Sequence, residues 1–494
     1  MAKFRFRTAR RIINDTLTLP GRITGDSRLM ALLAMGGRQI SHSGRAGRFI
    51  GVILVGFLAL YLIPSGAYDL SQRYIIFLTI AAVGLWLTEA IPPFAVGILI
   101  IGFLVFSQGG IEGESVNKYV NTWSSPVIWL MLGGFFMAEA LRKTGLDQKL
   151  FESTLRLTGK GARSILFGLM MATALASMVM SNTATAAMML ASVLPLIKKI
   201  GRSHPLSRSL LLGIPAAASL GGMGTIIGSP PNAIAVGALQ GVGIEIDFLT
   251  WMYFGFPVAM VSVLLMYWLL SRPVNTRLHI DADSLESSPE GKAENDRQAQ
   301  LITLVITGLT IALWLTNPLH GIPVAVVSGV PIVLLTMFSV LQASDVRALA
   351  WDTLMLVAGG LALGLALVDS GLARDLVDQL SFGPNVILTA LLFALLTVFL
   401  SNIMSNTATA SILIPLGLIL FAKNVDGMLI TASAAALAAS CALILPVSTP
   451  PNAIAFSTGL LEQKDFRRSG LVAGLLGPLL SVAWLWFLLQ WLEI

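Results

Sequence analysis

The sequence predicts an all-α polytopic membrane protein of about eleven transmembrane helices, with two re-entrant helical hairpins and two broken helices arranged as an inverted repeat. Three observations predict it. Hydrophobic residues make up 55% of the 494 residues and charged residues only 12%, a balance that does not fit a soluble surface. Apolar stretches long enough to cross a hydrocarbon core of ~30 Å recur along the chain, at 49–64, 74–88, 252–270 and 471–489 among others. The chain also repeats itself: the heptapeptide MSNTATA stands at 180–186 and at 404–410, and PPNAIA at 230–235 and 450–455. A third mark precedes these, because 132–146 aligns without gaps on 358–372 and matches Gly133 with Gly359 and Gly134 with Gly360. Three marks in one order mean a duplicated unit of roughly 220 residues.

The chain opens on a basic segment. Residues 1–48 carry Lys3, Arg5, Arg7, Arg10, Arg11, Arg22, Arg28, Arg38, Arg45 and Arg48 against Asp15 and Asp26, so this segment is +8 while the whole chain is +6. Its apolar run, 29–35, is too short to span, and the basic residues predict a cytoplasmic N-terminal tail rather than a secretory signal. No folded module stands behind the charges, so nucleic-acid binding is not predicted.

The first half, 49–270, has spans near 49–64, 74–90, 94–108 and 125–141, a hairpin at 164–197, a broken helix at 209–240 and a span near 251–270. Residues 271–298 follow as a polar linker, read as cytoplasmic. The second half, 299–494, repeats the plan with spans near 300–317, 322–340 and 352–369, a hairpin at 384–421, a broken helix at 427–459 and a final span near 471–490. Lys and Arg collect on the cytoplasmic side. Arg142, Lys143, Lys149, Arg156, Lys160, Arg163, Lys198, Lys199, Arg202 and Arg208 flank the first SNT segment, whereas Asp369, Arg374, Asp375, Asp378, Lys423 and Asp426 flank the second. The two copies are therefore expected to be inverted across the membrane, with the N-terminus inside and the C-terminus outside.

A polar tripeptide inside an apolar run is costly unless its groups find partners, because lipid offers none. Here Ser-Asn-Thr occurs twice, in hairpins whose helix starts carry partial positive charge suited to an anion, while carbonyls and hydroxyls suit a hard cation. Helix glue alone would explain one such tripeptide but not a repeated pair. Each Pro-Pro pair removes two backbone donors and breaks its helix, freeing carbonyls such as those of Gly228 and Ser448 beside the hydroxyls of Ser229 and Thr449. Neither motif pair contains Asp, Glu, His, Lys or Arg. Proton relays need an ionisable group inside the bundle, and Glu89 and Glu139 sit at span edges as expected structural anchors. Cys441 lies in an Ala-rich run as a small hydrophobe, and His42, His204, His279 and His320 are too scattered for a metal cluster. No cofactor is called for, and bound sodium is the economical supplier of positive charge for an anion.

The paired SNT hairpins, the paired PPN breaks and the stretch Thr88-Glu89-Ala90-Ile91-Pro92 resemble the divalent anion:sodium symporter family, over about residues 49 to 490. That resemblance implies a homodimer in a bacterial-type inner membrane, importing a C4-dicarboxylate with sodium by an elevator movement. It implies that Ser181, Asn182, Thr183, Ser405, Asn406 and Thr407 bind the carboxylates, with Ser229, Pro230, Thr449 and Pro450 lining the pocket. It also implies one sodium site from Ser177, Ser181, Asn182 and Gly228 and a second from Ser401, Ser405, Asn406 and Ser448. The alternatives are a dicarboxylate exchanger or a sulfate or citrate transporter of the same fold, and, from another class, a membrane-embedded enzyme. An exchanger is expected to place a fixed basic side chain in the site; an enzyme needs an ionisable base or a metal cluster.

Overall fold

The computed structural model describes residues 25–64, 66–109, 115–157, 161–201, 204–274, 297–372, 375 and 385–492, and its long elements are helices. The first half comprises α1 (Gly25–Leu62), α2 (Leu70–Thr88), α3 (Pro93–Gly109), α4 (Pro126–Lys143), α5 (Leu146–Leu157), α6 (Ala162–Ser177), α7 (Asn182–Ile200), α8 (Pro205–Gly221), α9 (Pro230–Gly241) and α10 (Phe248–Ser271). The second comprises α11 (Arg297–Leu315), α12 (Val324–Met337), α13 (Trp351–Asp369), α14 (Val386–Ser401), α15 (Asn406–Leu420), α16 (Val425–Ala439), α17 (Pro450–Ser457) and α18 (Gln463–Leu492). Among the described residues eight helices are long and apolar enough to cross a membrane, and six shorter apolar helices accompany them. The expectation of about eleven crossings counted each interrupted span as one, whereas the chain divides such spans into pieces.

One helix start lies earlier than the first span read in the sequence. Helix α1 begins at Gly25, inside the basic segment expected to be a tail through residue 48, and continues unbroken into the first apolar run. Residues 1–24 lie outside the described residues, as do 275–296 of the expected linker. Elsewhere the ends follow local chemistry. Asp69 and Gln72 form a reciprocal cap on α2, with Gln72 N donating to Asp69 Oδ1 at 2.7 Å and Asp69 N donating to Gln72 Oε1 at 3.1 Å. Asp247 caps α10 by accepting from Thr250 N at 2.6 Å.

The halves exchange partners. Helix α4 packs on α12, and α13, its counterpart in the repeat, packs on α3. Both crossings use a glycine that the repeat marks. A Cβ on Gly133 would lie 3.0 Å from the Ser328 carbonyl oxygen, and one on Gly359 would lie 2.2 Å from Gly97 Cα. Without a driving force between apolar helices in lipid, such close backbone approach is what binds them. The broken helices exchange too: α9 packs against α15 and α16, and α17 against α7 and α8. Helix α1 stays at the edge, resting on α2 and presenting Leu54, Phe57, Leu58 and Tyr61 outward, an apolar face suited to lipid.

Candidate substrate and cation site

Each SNT tripeptide forms the turn between two helices. Helix α6 ends at Ser177 and α7 starts at Asn182, with Ser181 as N-cap accepting from Ala184 N at 3.3 Å. In the second half α14 ends at Ser401, α15 starts at Asn406, and Ser405 accepts from Ala408 N at 3.2 Å. The cap satisfies one of the free N–H groups at each helix start and contributes about 1 kcal/mol. The remaining N–H groups keep the positive end of the helix dipole at the tip. Ser181 and Thr183 are exposed and Asn182 half-buried; Ser405, Asn406 and Thr407 are all half-buried.

The PPN segments interrupt the neighbouring helices in the same manner. Helix α8 ends at Gly221 and α9 restarts at Pro230; α16 ends at Ala439 and α17 restarts at Pro450. A proline at the first helical position loses nothing, because its missing N–H would have been unpaired there. The carbonyls released by the break are gathered by the asparagine of the motif. Asn232 Nδ2 donates to the carbonyls of Gly222 at 2.9 Å and Thr225 at 2.7 Å, and Asn452 Nδ2 donates to those of Leu443 at 3.3 Å and Leu445 at 3.1 Å. Sequence reasoning passed over both asparagines and assigned the break to the prolines alone. Their signal was in plain view as the third letter of PPN.

Hairpin and break are tied in each half by a hydrogen bond from the segment before the Pro-Pro pair to the hairpin, by a side-chain donor in one half and a backbone donor in the other. Thr225 Oγ1 donates to the Met178 carbonyl in the first half, whereas the Ile444 N–H donates to Asn402 Oδ1 at 3.0 Å in the second. In the first half this brings together Ser177, Asn182 and Gly228 from the expected sodium set and adds the Ala218 carbonyl, which the sequence did not single out. Ser177 Oγ donates to Ala218 O at 2.7 Å and accepts from the Asn182 amide nitrogen at 2.5 Å. The same amide nitrogen donates to the carbonyls of Ala218 and Gly228, each at 3.1 Å. Ser181 points its hydroxyl at the helix cap instead. Gly222 makes room here, since a Cβ on it would lie 2.5 Å from Asn182 Oδ1 and 2.7 Å from the Gly228 carbonyl.

The second set is less closed. Ser401 Oγ and Asn406 Oδ1 are buried without a hydrogen-bond partner, and Ser448 Oγ donates to Leu445 O at 2.7 Å. Thr449 caps α17, accepting from Asn452 N at 3.3 Å, while Ser229 Oγ lies 3.5 Å from Ser440 Oγ across the repeat boundary. Pro230 is half-buried and Pro450 exposed. Among the described residues no group of three or more His, Cys, Asp or Glu could hold a metal. Glu139 pairs with Arg142, and Glu89 ends α2 in the left-handed conformation at φ 47.

The described residues make a multi-span helical protein with two hairpin tips and two helix breaks rich in neutral polar groups, and its relatives are membrane transporters. The chain shares its fold with the YdaH transporter of Alcanivorax borkumensis, at a TM-score of 0.54 and 15% identity, over 81% of this chain and 99% of that one. The citrate transporter family model matches residues 83–442. A sodium-dependent dicarboxylate transporter SdcS of Staphylococcus saprophyticus is 30% identical over 92% of this chain and 94% of its own length. An uncharacterized transporter of Haemophilus influenzae is 32% identical over 79% of this chain and 86% of its own. The chain belongs to the divalent anion:sodium symporter family, of the sodium/dicarboxylate cotransporter type. The family and these relatives are transporters, and the enzyme alternative is set aside on that ground.

Proposed function

We propose that this protein imports a C4-dicarboxylate of the succinate, malate or fumarate type together with sodium ions, as a homodimer whose hairpins and broken helices move like an elevator in a bacterial inner membrane. The observation that carries the reading is the oxygen cluster at Asn182. With its oxygen inward, the amide joins Ser177 Oγ and the carbonyls of Ala218 and Gly228 in a set of neutral oxygens, which is the chemistry a sodium ion takes up. With its nitrogen inward, the same amide hydrogen-bonds to those oxygens itself. In this reading sodium binding turns the amide over, and the amide belongs to the tripeptide expected to hold the carboxylate. Ser401, Ser405, Asn406 and Ser448 form the second candidate set, supported by the unpartnered oxygens of Ser401 and Asn406.

In this reading Thr183 and Thr407, with Ser181, Asn182, Ser405 and Asn406, take the two carboxylates at helix N-termini, while Ser229, Pro230, Thr449 and Pro450 line the pocket. No basic side chain lies in the motifs, so bound sodium supplies the compensating charge. The N-terminus is inside and the C-terminus outside. The decisive experiment is uptake of radiolabelled succinate into proteoliposomes with and without a sodium gradient. Apparent succinate affinity rises with sodium, because the two binding free energies are linked reciprocally, and choline or potassium does not substitute. Undiminished uptake without sodium at matched ionic strength would indicate an exchanger. The citrate description of the matched family model favours a second reading, citrate as substrate, which labelled citrate tests in the same vesicles.

A further inference from the structure

Away from the SNT and PPN motifs, a cavity of about 1060 Å³ opens where the start of α8, the end of α10 and the start of α18 meet. Arg208, Arg272, Lys464 and Arg468 line it together with Glu462 and Asp465. The two carboxylates are already engaged: Asp465 pairs with Arg208, and Glu462 with Lys464 at 2.7 Å. Among the described residues neither Arg272 nor Arg468 has a carboxylate partner. Arg272 Cζ lies 3.5 Å from the centroid of the Trp268 ring, a cation–π contact that does not itself use the guanidinium N–H donors. Trp268 is 56% exposed, as suits an amphipathic ring at a membrane interface.

What continues from this basic rim is apolar. Helices α10 and α18 pack against each other and expose Val261, Leu264, Leu471 and Leu475 along their outer faces, where hydrocarbon is the natural solvent. The hydroxyl of Ser209 is committed to the protein, donating to the Leu270 carbonyl at 2.8 Å, so the donors left for a ligand are the cationic ones. A soluble anion would use the rim alone; a phospholipid uses the rim and the apolar faces together.

We propose that this cavity binds the phosphate headgroup of an anionic phospholipid, with Arg272 and Arg468 on the phosphate oxygens and the acyl chains lying along α10 and α18. Basic pockets between membrane helices recognise such headgroups by charge and by bidentate hydrogen bonds.

The test uses the full chain in nanodiscs of equimolar phosphatidylcholine and phosphatidylglycerol, with retained lipid counted by native mass spectrometry. The wild type retains phosphatidylglycerol over phosphatidylcholine. The double variant Arg272→Gln/Arg468→Gln binds phosphatidylglycerol roughly thirtyfold more weakly, on about 1 kcal/mol for each basic group near the surface. Arg272→Gln alone gives a smaller loss and serves if the double variant does not fold. Lys198→Gln/Lys199→Gln removes the same charge from an exposed site elsewhere and retains the lipid. Equal retention by the wild type and both Arg272 variants overturns the proposal. So does an equal loss in the Lys198/Lys199 variant, which marks a general surface-charge effect. Displacement of the lipid by inorganic phosphate also overturns it, because the site then serves a soluble anion.

Discussion

The Ser229 hydroxyl of the first half lies 3.5 Å from the Ser440 hydroxyl of the second, and both side chains are buried. Ser229 immediately precedes the first Pro-Pro pair, and Ser440 follows the end of α16 before the second, so the two breaks meet at this point. Residues that share such a contact do not act independently. A double-mutant cycle on succinate affinity with Ser229→Ala and Ser440→Ala is expected to show a coupling of about 0.5 kcal/mol or more. Strict additivity would show that the breaks respond separately to substrate.

Gly222 is the position where a single methyl group tests the oxygen cluster. Its Cβ would come within 2.5 Å of Asn182 Oδ1 and 2.7 Å of the Gly228 carbonyl, so one of them must move. Gly222→Ala is expected to raise the sodium concentration for half-maximal uptake at least ~10-fold, a loss of about 1.4 kcal/mol. Gly241→Ala is the control, since its Cβ meets nothing closer than Leu365 Cδ2 at 3.6 Å. An unchanged sodium dependence in the Gly222 variant would separate this cluster from sodium.

Asn232 and Asn452 carry a structural prediction. Replacing either by Ala removes the side-chain donor from the Gly222 or the Leu443 carbonyl, at a cost of about 1–3 kcal/mol for a buried group left unpaired. Asn232 Nδ2 reaches the carbonyls of Gly222, Met223 and Thr225, whereas Asn452 Nδ2 reaches only those of Leu443 and Leu445. The apparent melting temperature, read by tryptophan fluorescence in detergent, is expected to fall in both variants and further in Asn232→Ala. Equal stability to the wild type would mean that the prolines alone hold the breaks.

These elements also show what was legible in advance. Hairpins and breaks announced themselves because a polar tripeptide and a Pro-Pro pair are conspicuous in apolar sequence and occur twice. The Ala218 carbonyl and the Ser440 hydroxyl could not be found that way. A backbone oxygen has no letter of its own, and Ser440 sits in an Ala-rich run where one serine passes as a small packing residue. The start of α1 at Gly25 was missed for a different reason: basic residues mark which side of the membrane a segment prefers, and they do not end a helix.

Inverted topology is checked by labelling. Lys198 closes the first hairpin and Lys423 follows the second, and both are exposed. Cys441 is fully buried and gives little background. Lys198→Cys is expected to react with an impermeant maleimide only from the cytoplasmic side, and Lys423→Cys only from outside. Labelling of both from one side would remove the inverted-repeat argument.

The identity of MSNTATA in both halves makes the last prediction, about how two hairpins share one substrate. If each tip grips one carboxylate, the pocket is nearly two-fold symmetric in its donors and suits a molecule with an anionic group at each end. Thr183→Ala and Thr407→Ala are then expected to weaken succinate by similar amounts, roughly 1–3 kcal/mol, the range for a hydrogen bond to a charged group. Thr183 is exposed and Thr407 half-buried, so within that range the Thr407 effect is expected at the upper end, where water competes less. A monocarboxylate leaves one set of donors unmatched and binds poorly to the unmodified protein. Competition against labelled succinate by succinate, malate, lactate and sulfate, in the wild type and both variants, measures each of these. Should lactate compete as well as succinate, or only one threonine matter, a one-sided anion site replaces the two-ended pocket.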